Sequence, residues 1–197
     1  MIHFSEACER NKVPILNILE HALRDCHKVL EVGSGTAQHA IYFGDRLPHL
    51  QWQTSDVPAN LDIIRDNLGK HCPPNVKQPL ELDVRNHPWP EVDADAVFSA
   101  NTLHIMSWDE VVEFFRGAGE TLAEDGTLCI YGPFRYNNSY TSDSNADFDI
   151  YLKTRDPASG IRDFENVNEL AQRQGLVMQQ DNAMPANNQL IIWKRES

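Results

Sequence analysis

The sequence is poor in positive charge and contains no basic tract. Its 197 residues include 17 lysines and arginines against 29 aspartates and glutamates, which gives a formal net charge of −12 at pH 7. A surface of that sign repels the phosphates of nucleic acids and of anionic membranes. We therefore expect neither a nucleic acid nor a membrane among the partners, and we expect a small molecule as the ligand.

Long apolar runs and cysteine motifs are also missing. No run approaches the roughly 20 apolar residues of a membrane span, and the first six residues lack the basic and apolar regions of a signal peptide. The four cysteines form no C-x-x-C pair and no zinc-like spacing with histidines. We expect four reduced thiols, no metal site and a cytoplasmic location. No sequence pattern indicates the oligomeric state.

What the chain does contain is an alternation of strand-like and helix-like segments. Its length suits one domain over residues 1–197. We predict seven strands, at 28–32, 51–55, 76–82, 95–100, 127–131, 176–181 and 189–194. We predict helices at 14–24, 38–47, 61–68, 107–123 and 163–174. The pattern is typical of an α/β fold.

The most informative stretch is the first strand and the turn that follows it. An apolar run that contains Glu31 breaks into a turn with Gly33 and Gly35, then enters a helix. Glycines allow positive φ and close approach of a ligand, and the helix offers free N–H groups. A dinucleotide-binding turn would need a glycine where Gln38 stands. The order E-x-G-x-G-x-A, which ends at Ala37 with a methyl small enough to fit, resembles instead the first motif of class I S-adenosylmethionine-dependent methyltransferases.

Acidic residues end the next two strands. Asp56 follows the second strand, about 20 residues past the glycines, where a carboxylate accepts ribose hydroxyls. The alternative is a helix N-cap for the segment that starts near Ala59. Asp83 and Val84 follow the third strand, where an acid accepts from an adenine amino group; the alternative is an acid in a surface turn.

The segment after the fourth strand supplies the catalytic candidates. In the methyltransferase class it holds the amino-acid end of the cofactor, which places Asn101 and Leu103 there. Asn101 offers a carbonyl for an ammonium and an amide for a substrate. His104 is a candidate for orienting or deprotonating a nucleophile, and its alternative is a structural hydrogen bond. Tyr131, at the end of the fifth strand, is the third catalytic candidate.

Three segments are expected to cover this edge of the sheet. Residues 132–160 show no helical or strand period, contain many aromatics, and follow the fifth strand, so we predict a substrate lid, in part helical from 145 to 155. A structural flap is the alternative. An arm at residues 4–12, ahead of the first helix, and the turn at 184–188 are expected to close over the same site.

Further motifs extend the resemblance to nearly the whole chain. They are RNKVPI at 10–15, WQTSD at 52–56, NTLHI at 101–105, YGPF at 131–134, SNA at 144–146, RDP at 155–157, GIRD at 160–163 and MPANN at 184–188. Together with the glycine turn they resemble a domain-of-unknown-function family of small class I methyltransferases that includes the animal methyltransferase-like 26 proteins. The resemblance implies a Rossmann-like sheet of seven mostly parallel strands with helices on both faces, and S-adenosylmethionine as cofactor.

The resemblance also implies site residues. For the cofactor they are Glu31, Gly33, Ser34, Gly35, Asp56, Asp83, Val84, Asn101 and Leu103. For the substrate they are Arg10, Asn11, Arg135, Asn145, Arg162, Asn187 and Asn188. The three arginines are expected either to meet carboxylates of a substrate or to pair with Asp143, Asp149 and Asp163.

The sequence leaves three functions open. The first is methyl transfer to a small polar or carboxylate-bearing molecule. The second is methylation of a protein. The third is a scaffold or sensor that binds the cofactor without chemistry.

Overall fold

A computed structural model describes residues 4–196. The first helix, α1, runs over Glu6–Ala22 and begins eight residues earlier than predicted. Its start is set by Ser5, whose side chain accepts a hydrogen bond from the N–H of Cys8. Pro14 lies inside this helix rather than in its first turn. Arg10 and Asn11 are therefore carried on a helix, and the predicted arm at 4–12 is mostly helical.

Outside residues 132–160 the remaining elements agree with the predicted ones to within about three residues, except that the fifth strand begins at Leu122, five residues earlier than predicted. The helices are α2 (Gln38–Arg46), α3 (Leu61–Leu68), α4 (Trp108–Thr121), α5 (Asp143–Arg155) and α6 (Phe164–Arg173). The strands are β1 (Lys28–Val32), β2 (Gln51–Asp56), β3 (Val76–Glu81), β4 (Ala94–Ala100), β5 (Leu122–Gly132), β6 (Phe134–Tyr136), β7 (Ser139–Tyr140), β8 (Arg162–Asp163), β9 (Leu176–Met184) and β10 (Asn188–Arg195).

One sheet organises the fold. Its seven strands lie in the order β3-β2-β1-β4-β5-β10-β9, and β10 alone runs antiparallel to its neighbours. The carboxyl ends of β1, β2, β4 and β5 therefore meet at one edge, and β10 begins at that same edge beside Gly132. Ligands of open α/β sheets bind at such an edge.

Apolar clusters cover both faces of the sheet. One cluster packs α1, α2 and α3 against the sheet and contains Phe43, Trp52 and Phe98. The other packs α4 and α6 and contains Phe114 and Trp193. The helix α4 starts with the capping box that its sequence predicts, in which Ser107 and Glu110 bond each other's backbone N–H. Among the described residues, 4–196, no helix is both long and apolar enough to cross a bilayer.

Residues 132–160 contain more regular structure than the sequence predicts, because strands accompany the predicted helix. The strands β6 and β7 form a hairpin, α5 follows, and β8 adds to β6 in a small separate sheet. The predicted helical part, 145–155, lies within α5. Asp149 ties this flap (residues 133–163) together, because it accepts hydrogen bonds from Tyr140, Lys153 and the N–H of Ile161 at 2.6–2.7 Å. Such side-chain bonds across distant positions leave no periodic signal in the sequence.

Candidate active site

A cavity of about 490 Å³ opens at the carboxyl edge of the sheet. We call it the main cavity. It is lined by Ser5, Ala7, Cys8, Val32, Gly33, Ser34, Gly35, Thr36, His39, Asp56, Val57, Asn60, Leu82, Asp83, Val84, Arg85, Ala100, Asn101, Thr102, Ile105, Met106 and Glu110. Its size is that of a pocket for a cofactor or small molecule.

The glycine turn forms the floor of the main cavity. Gly33 has φ +79°, and a Cβ there would lie 2.6 Å from Cγ2 of Thr102. Gly35 has φ +56°, and a Cβ there would meet no atom within 4 Å. Since Gly35 lines the cavity, that Cβ would occupy ligand space. The positive φ favours glycine at both positions, and at Gly33 the close contact with Thr102 requires it as well.

Ala37 stands where the resembled motif usually has a third glycine. Its methyl is fully buried in the core, so the expectation that it fits is confirmed. Its φ, however, is +58°, in the left-handed region that glycine adopts more readily. The backbone conformation, as well as the space, explains why this position favours glycine.

Glu31 and Ser34 hold the turn from below. Glu31 is 2% exposed and is not part of the cavity lining. It accepts hydrogen bonds from Ser34 Oγ at 2.9 Å and Trp52 Nε1 at 3.0 Å. Burial raises the pKa of Glu31 to about 7, and the charge of Asp56 adds to the rise. The structure therefore gives Glu31 a supporting role and does not place it against a ligand as predicted, whereas Ser34 does line the cavity.

Asp56 faces the main cavity from the end of β2. Its carboxylate accepts from the N–H of Gly35 at 2.7 Å, and from the Val57 N–H and Asn60 Nδ2 at 2.8 Å each. It does not cap a helix, since the short helical turn after it, Pro58–Asn60, has Val57 as its N-cap and α3 has Asn60. The carboxylate fixes the glycine turn and still lines the cavity, where its remaining lone pairs are available to hydroxyl groups.

Asp83 and Val84 line the opposite end. The guanidinium of Arg85 binds Asp83 through two nitrogens, and these bonds hold the pKa of Asp83 below its usual value. Arg85 also lies 3.7 Å from Glu110. The sequence did not single out Arg85 or Glu110, and here they border the place predicted for an adenine.

The segment after β4 divides into two parts. Asn101, with φ +60°, lines the cavity, and its N–H bonds the Tyr131 carbonyl at 2.9 Å. Leu103 packs instead in the core under α4, and His104 lies beside Phe148 of the flap. Burial lowers the pKa of His104 to about 4. Neither Leu103 nor His104 reaches the main cavity, which corrects their predicted roles, because the flap covers them.

A second histidine, which sequence reasoning missed, does line the cavity. His39 lies in the first turn of α2 and is 5% exposed. Its Nε2 donates to Oδ1 of Asn11 at 2.6 Å. Burial lowers the pKa of His39 to about 4, so the ring is neutral at physiological pH. The only sequence signal was its position four residues after Gly35, where a helix faces the ligand.

Tyr131, Asn11 and Asn188 form a polar group behind His39. Burial raises the pKa of the Tyr131 phenol, and hydrogen bonds from Asn11 and Asn188 offset part of that rise. None of these three residues lines the main cavity. They connect to the cavity through the bond between Asn11 and His39.

The other predicted substrate residues serve the flap. Asn145 donates to the Asn187 carbonyl at 2.9 Å, and Asn187 in turn bonds Ser144. The 184–188 turn is thus fastened to α5. Asn101 lines the main cavity, whereas Tyr131, Asn145 and Asn187 do not.

Of the three arginines, Arg135 follows the structural alternative of pairing with an aspartate. Arg135 binds Asp163, the pairing proposed for a closed flap. Arg162 donates to the carbonyls of Leu103, Met106 and Ala158. Arg10 is 71% exposed at its side chain and lies 3.4 Å from Glu6. Arg135 and Arg162 are partly buried and occupied by protein partners, which removes them as free ligands for a substrate carboxylate.

The family is decided by a match along almost the whole length. A family model described as Protein of unknown function (DUF938) matches residues 2–195. The chain belongs to the DUF938 family. The narrower methyltransferase-like 26 assignment is not confirmed by this match and stays a prediction.

Solved structures share the fold of this DUF938 protein. An O-methyltransferase family protein from Burkholderia thailandensis aligns with 98% of the chain and 58% of its own, at 21% identity and a TM-score of 0.82. Human N-acetylserotonin methyltransferase, in a complex with SAM, aligns with 98% of the chain and 53% of its own, at 15% identity and a TM-score of 0.82. The methyltransferase SibL aligns at 20% identity, 97% and 56% coverage and a TM-score of 0.81.

These likenesses show the class I methyltransferase fold. The DUF938 chain spans little more than half the length of these structures. In residues 4–196, no cluster of three or more histidine, cysteine, aspartate or glutamate side chains is arranged to hold a metal ion.

Proposed function

We propose that this DUF938 protein is an S-adenosylmethionine-dependent methyltransferase that acts on a small polar molecule. The observation that carries the proposal is one cavity that joins the glycine turn, Asp56, Asp83 and Asn101. These are the groups expected for the amino-acid end, the ribose and the base of that cofactor. Several of the structures with this fold are named methyltransferases, one of them in a complex with SAM.

The residues present fit the cofactor. The open space above Gly35 is where a Cβ would intrude, and the N–H groups at the start of α2 lie beside it. Among the described residues, three carboxylates, Asp56, Asp83 and Glu110, line the cavity against one guanidinium, that of Arg85. An acidic wall favours a ligand that carries a sulfonium and an ammonium group.

The cofactor would supply a methyl group activated by a positive sulfur. The chain's contribution is to hold that group and an acceptor in line and to exclude water, and orientation of this kind is worth up to roughly 7–11 kcal/mol in ideal systems. Asp56, Asp83 and Asn101 hold the cofactor, and the glycine turn lets it approach the backbone.

Titration calorimetry tests the cofactor choice. We expect S-adenosylmethionine and its demethylated product, S-adenosylhomocysteine, to bind, and NAD to give no heat. Binding of NAD alone would contradict the proposal. A Gly35→Val variant is the matched control, since its side chain would fill the ligand space and should abolish binding of both cofactor forms.

Transfer of labelled methyl groups separates enzyme from sensor. We expect label in the small-molecule fraction of a cell extract, and label in protein would favour a protein substrate. Cofactor binding without any transfer would favour a sensor.

We also propose a reducing, cytoplasmic location, which agrees with Cys8, Cys26, Cys72 and Cys129 being free thiols.

A further inference from the structure

The side chain of His39 presents an unused lone pair to the main cavity. A neutral imidazole carries one proton, and the nitrogen that bears it is set by the hydrogen bond it makes. Because Oδ1 of Asn11 can only accept, the proton lies on Nε2. The other nitrogen, Nδ1, is then able only to accept.

Nδ1 has no hydrogen-bond partner among residues 4–196. In this part of the chain, the fully buried side-chain atoms that lack a partner belong to His87, Arg135 and Asp163. Nδ1 of His39 is not one of them, so it is not sealed in the core. Since His39 lines the main cavity, its open nitrogen is accessible there. The residue as a whole is otherwise buried, with 5% of its surface exposed.

The ring is held in one orientation. It stacks on Phe43 with centroids 5.3 Å apart and meets the edge of Phe98 at 6.0 Å. The bond to Asn11 is backed by Tyr131 and Asn188. This support fits a group that must keep one atom in a fixed place, since a site on rigid elements holds its geometry best.

The surrounding charges restrict what Nδ1 can bind. Among residues 4–196, the cavity lining contains no lysine, and its one guanidinium, that of Arg85, is bound to Asp83. Arg135 and Arg162 are occupied elsewhere. A carboxylate acceptor would therefore find no free cation in the cavity lining, and it has no proton to offer to Nδ1.

We propose that His39 binds the methyl acceptor through Nδ1, and that the acceptor presents a hydroxyl or amine hydrogen to it rather than a carboxylate. This inference rests on the proposed methyltransferase function. In the transfer the acceptor atom's lone pair bonds the methyl carbon, and the carbon–sulfur bond breaks with its electron pair left on sulfur. For a hydroxyl acceptor, the displaced proton passes to Nδ1 and then to solvent.

Nitrogen-15 NMR of the histidine rings, in protein saturated with S-adenosylhomocysteine, tests the inference. The probes are phenol and benzoate, which share a ring but differ in carrying a hydrogen to donate. We expect phenol to shift the Nδ1 resonance of His39 and benzoate to leave it in place. His104, also buried and neutral but outside the cavity, is the control in the same spectrum and should not move.

The His39→Phe variant assigns the resonance and keeps the packing on Phe43 and Phe98. We expect its affinity for S-adenosylhomocysteine to stay within about threefold of the wild type. A tenfold loss would assign His39 to the cofactor and overturn the inference. So would an equal shift with benzoate, or no shift with phenol. Failure of S-adenosylhomocysteine to bind the wild type would instead overturn the proposed function.

Discussion

Glu31 is a carboxyl group buried under the glycine turn, and its environment makes stability depend on pH. Burial raises its pKa from 4.5 to about 7. Between those pH values the folded chain binds more protons at this group than the unfolded chain does. The free energy of unfolding therefore falls as pH rises from about 4.5 through 7, by on the order of 3 kcal/mol.

Glu31→Gln should flatten this dependence. The amide stays neutral at all pH values, and its oxygen can still accept from Trp52 and Ser34. Urea denaturation across this pH range should show a smaller decline for the variant than for the wild type. Glu169→Gln, at an exposed position on α6, is the control and should follow the wild type. Parallel curves for Glu31→Gln and the wild type would show that another group controls the dependence.

Asp56 combines two tasks in one carboxylate. Asp56→Ala should lower affinity for S-adenosylhomocysteine by roughly tenfold to a hundredfold, because hydrogen bonds to a charged group are worth about 1.5–3 kcal/mol. From the sequence we would expect no change in ligand-free stability. The structure alters this, since Gly35, Val57 and Asn60 lose their acceptor, and we expect a loss of about 1–2 kcal/mol.

Calorimetry and urea denaturation measure the two effects separately. Asp56→Asn keeps one acceptor oxygen and should lie between the alanine variant and the wild type. Asp62→Ala, on the exposed face of α3, should change neither quantity. If Asp56→Ala lost stability alone, the carboxylate would serve only the turn.

At the scale of elements, the flap is fastened to the segment that borders the cavity. Arg162, at β8, reaches the carbonyls of Leu103 and Met106, and Met106 lines the cavity. Arg162→Ala leaves these carbonyls without their donor, and we expect the free energy of unfolding to fall by about 2–3 kcal/mol. Arg135→Ala should also destabilise the protein, because it leaves the buried Asp163 unpaired.

Urea denaturation again gives the measurement, with Arg10→Ala as the matched control because its side chain is exposed and pairs with the exposed Glu6. We expect no more than a small change for that control. If Arg162→Ala and Arg135→Ala were as stable as the wild type, neither side chain would be needed for stability. That result would favour the prediction that these arginines bind substrate.

At the scale of the whole molecule, one sheet takes strands from both halves of the chain. The outer strands β3 and β9 come from the middle and the end of the sequence, and β1 lies between. For this reason we propose that residues 1–197 form a single domain. The net charge of −12 and the acidic cavity wall have the same sign, which agrees with the proposal that neither a nucleic acid nor an anionic membrane is a partner.

Local rules made much of this fold predictable. The strand that ends at the glycine turn, the capping box at Ser107 and the acid at the end of β2 each depend on neighbours within a few residues. Parallel strands then bring their carboxyl ends together, which placed Asp56, Asp83 and Asn101 at one cavity.

Which of several similar side chains lies at the cavity depended on the tertiary structure. His39 and His104 look alike in the sequence, and only the packing of the flap over His104 and the opening beside His39 distinguish them. Arg135 likewise binds a partner that is distant in the sequence, Asp163. The sequence by itself determined the sheet and the cofactor edge, because these follow from local backbone requirements. The tertiary structure decided which polar groups face the ligand, because burial and hydrogen-bond partners arise only when distant segments pack together.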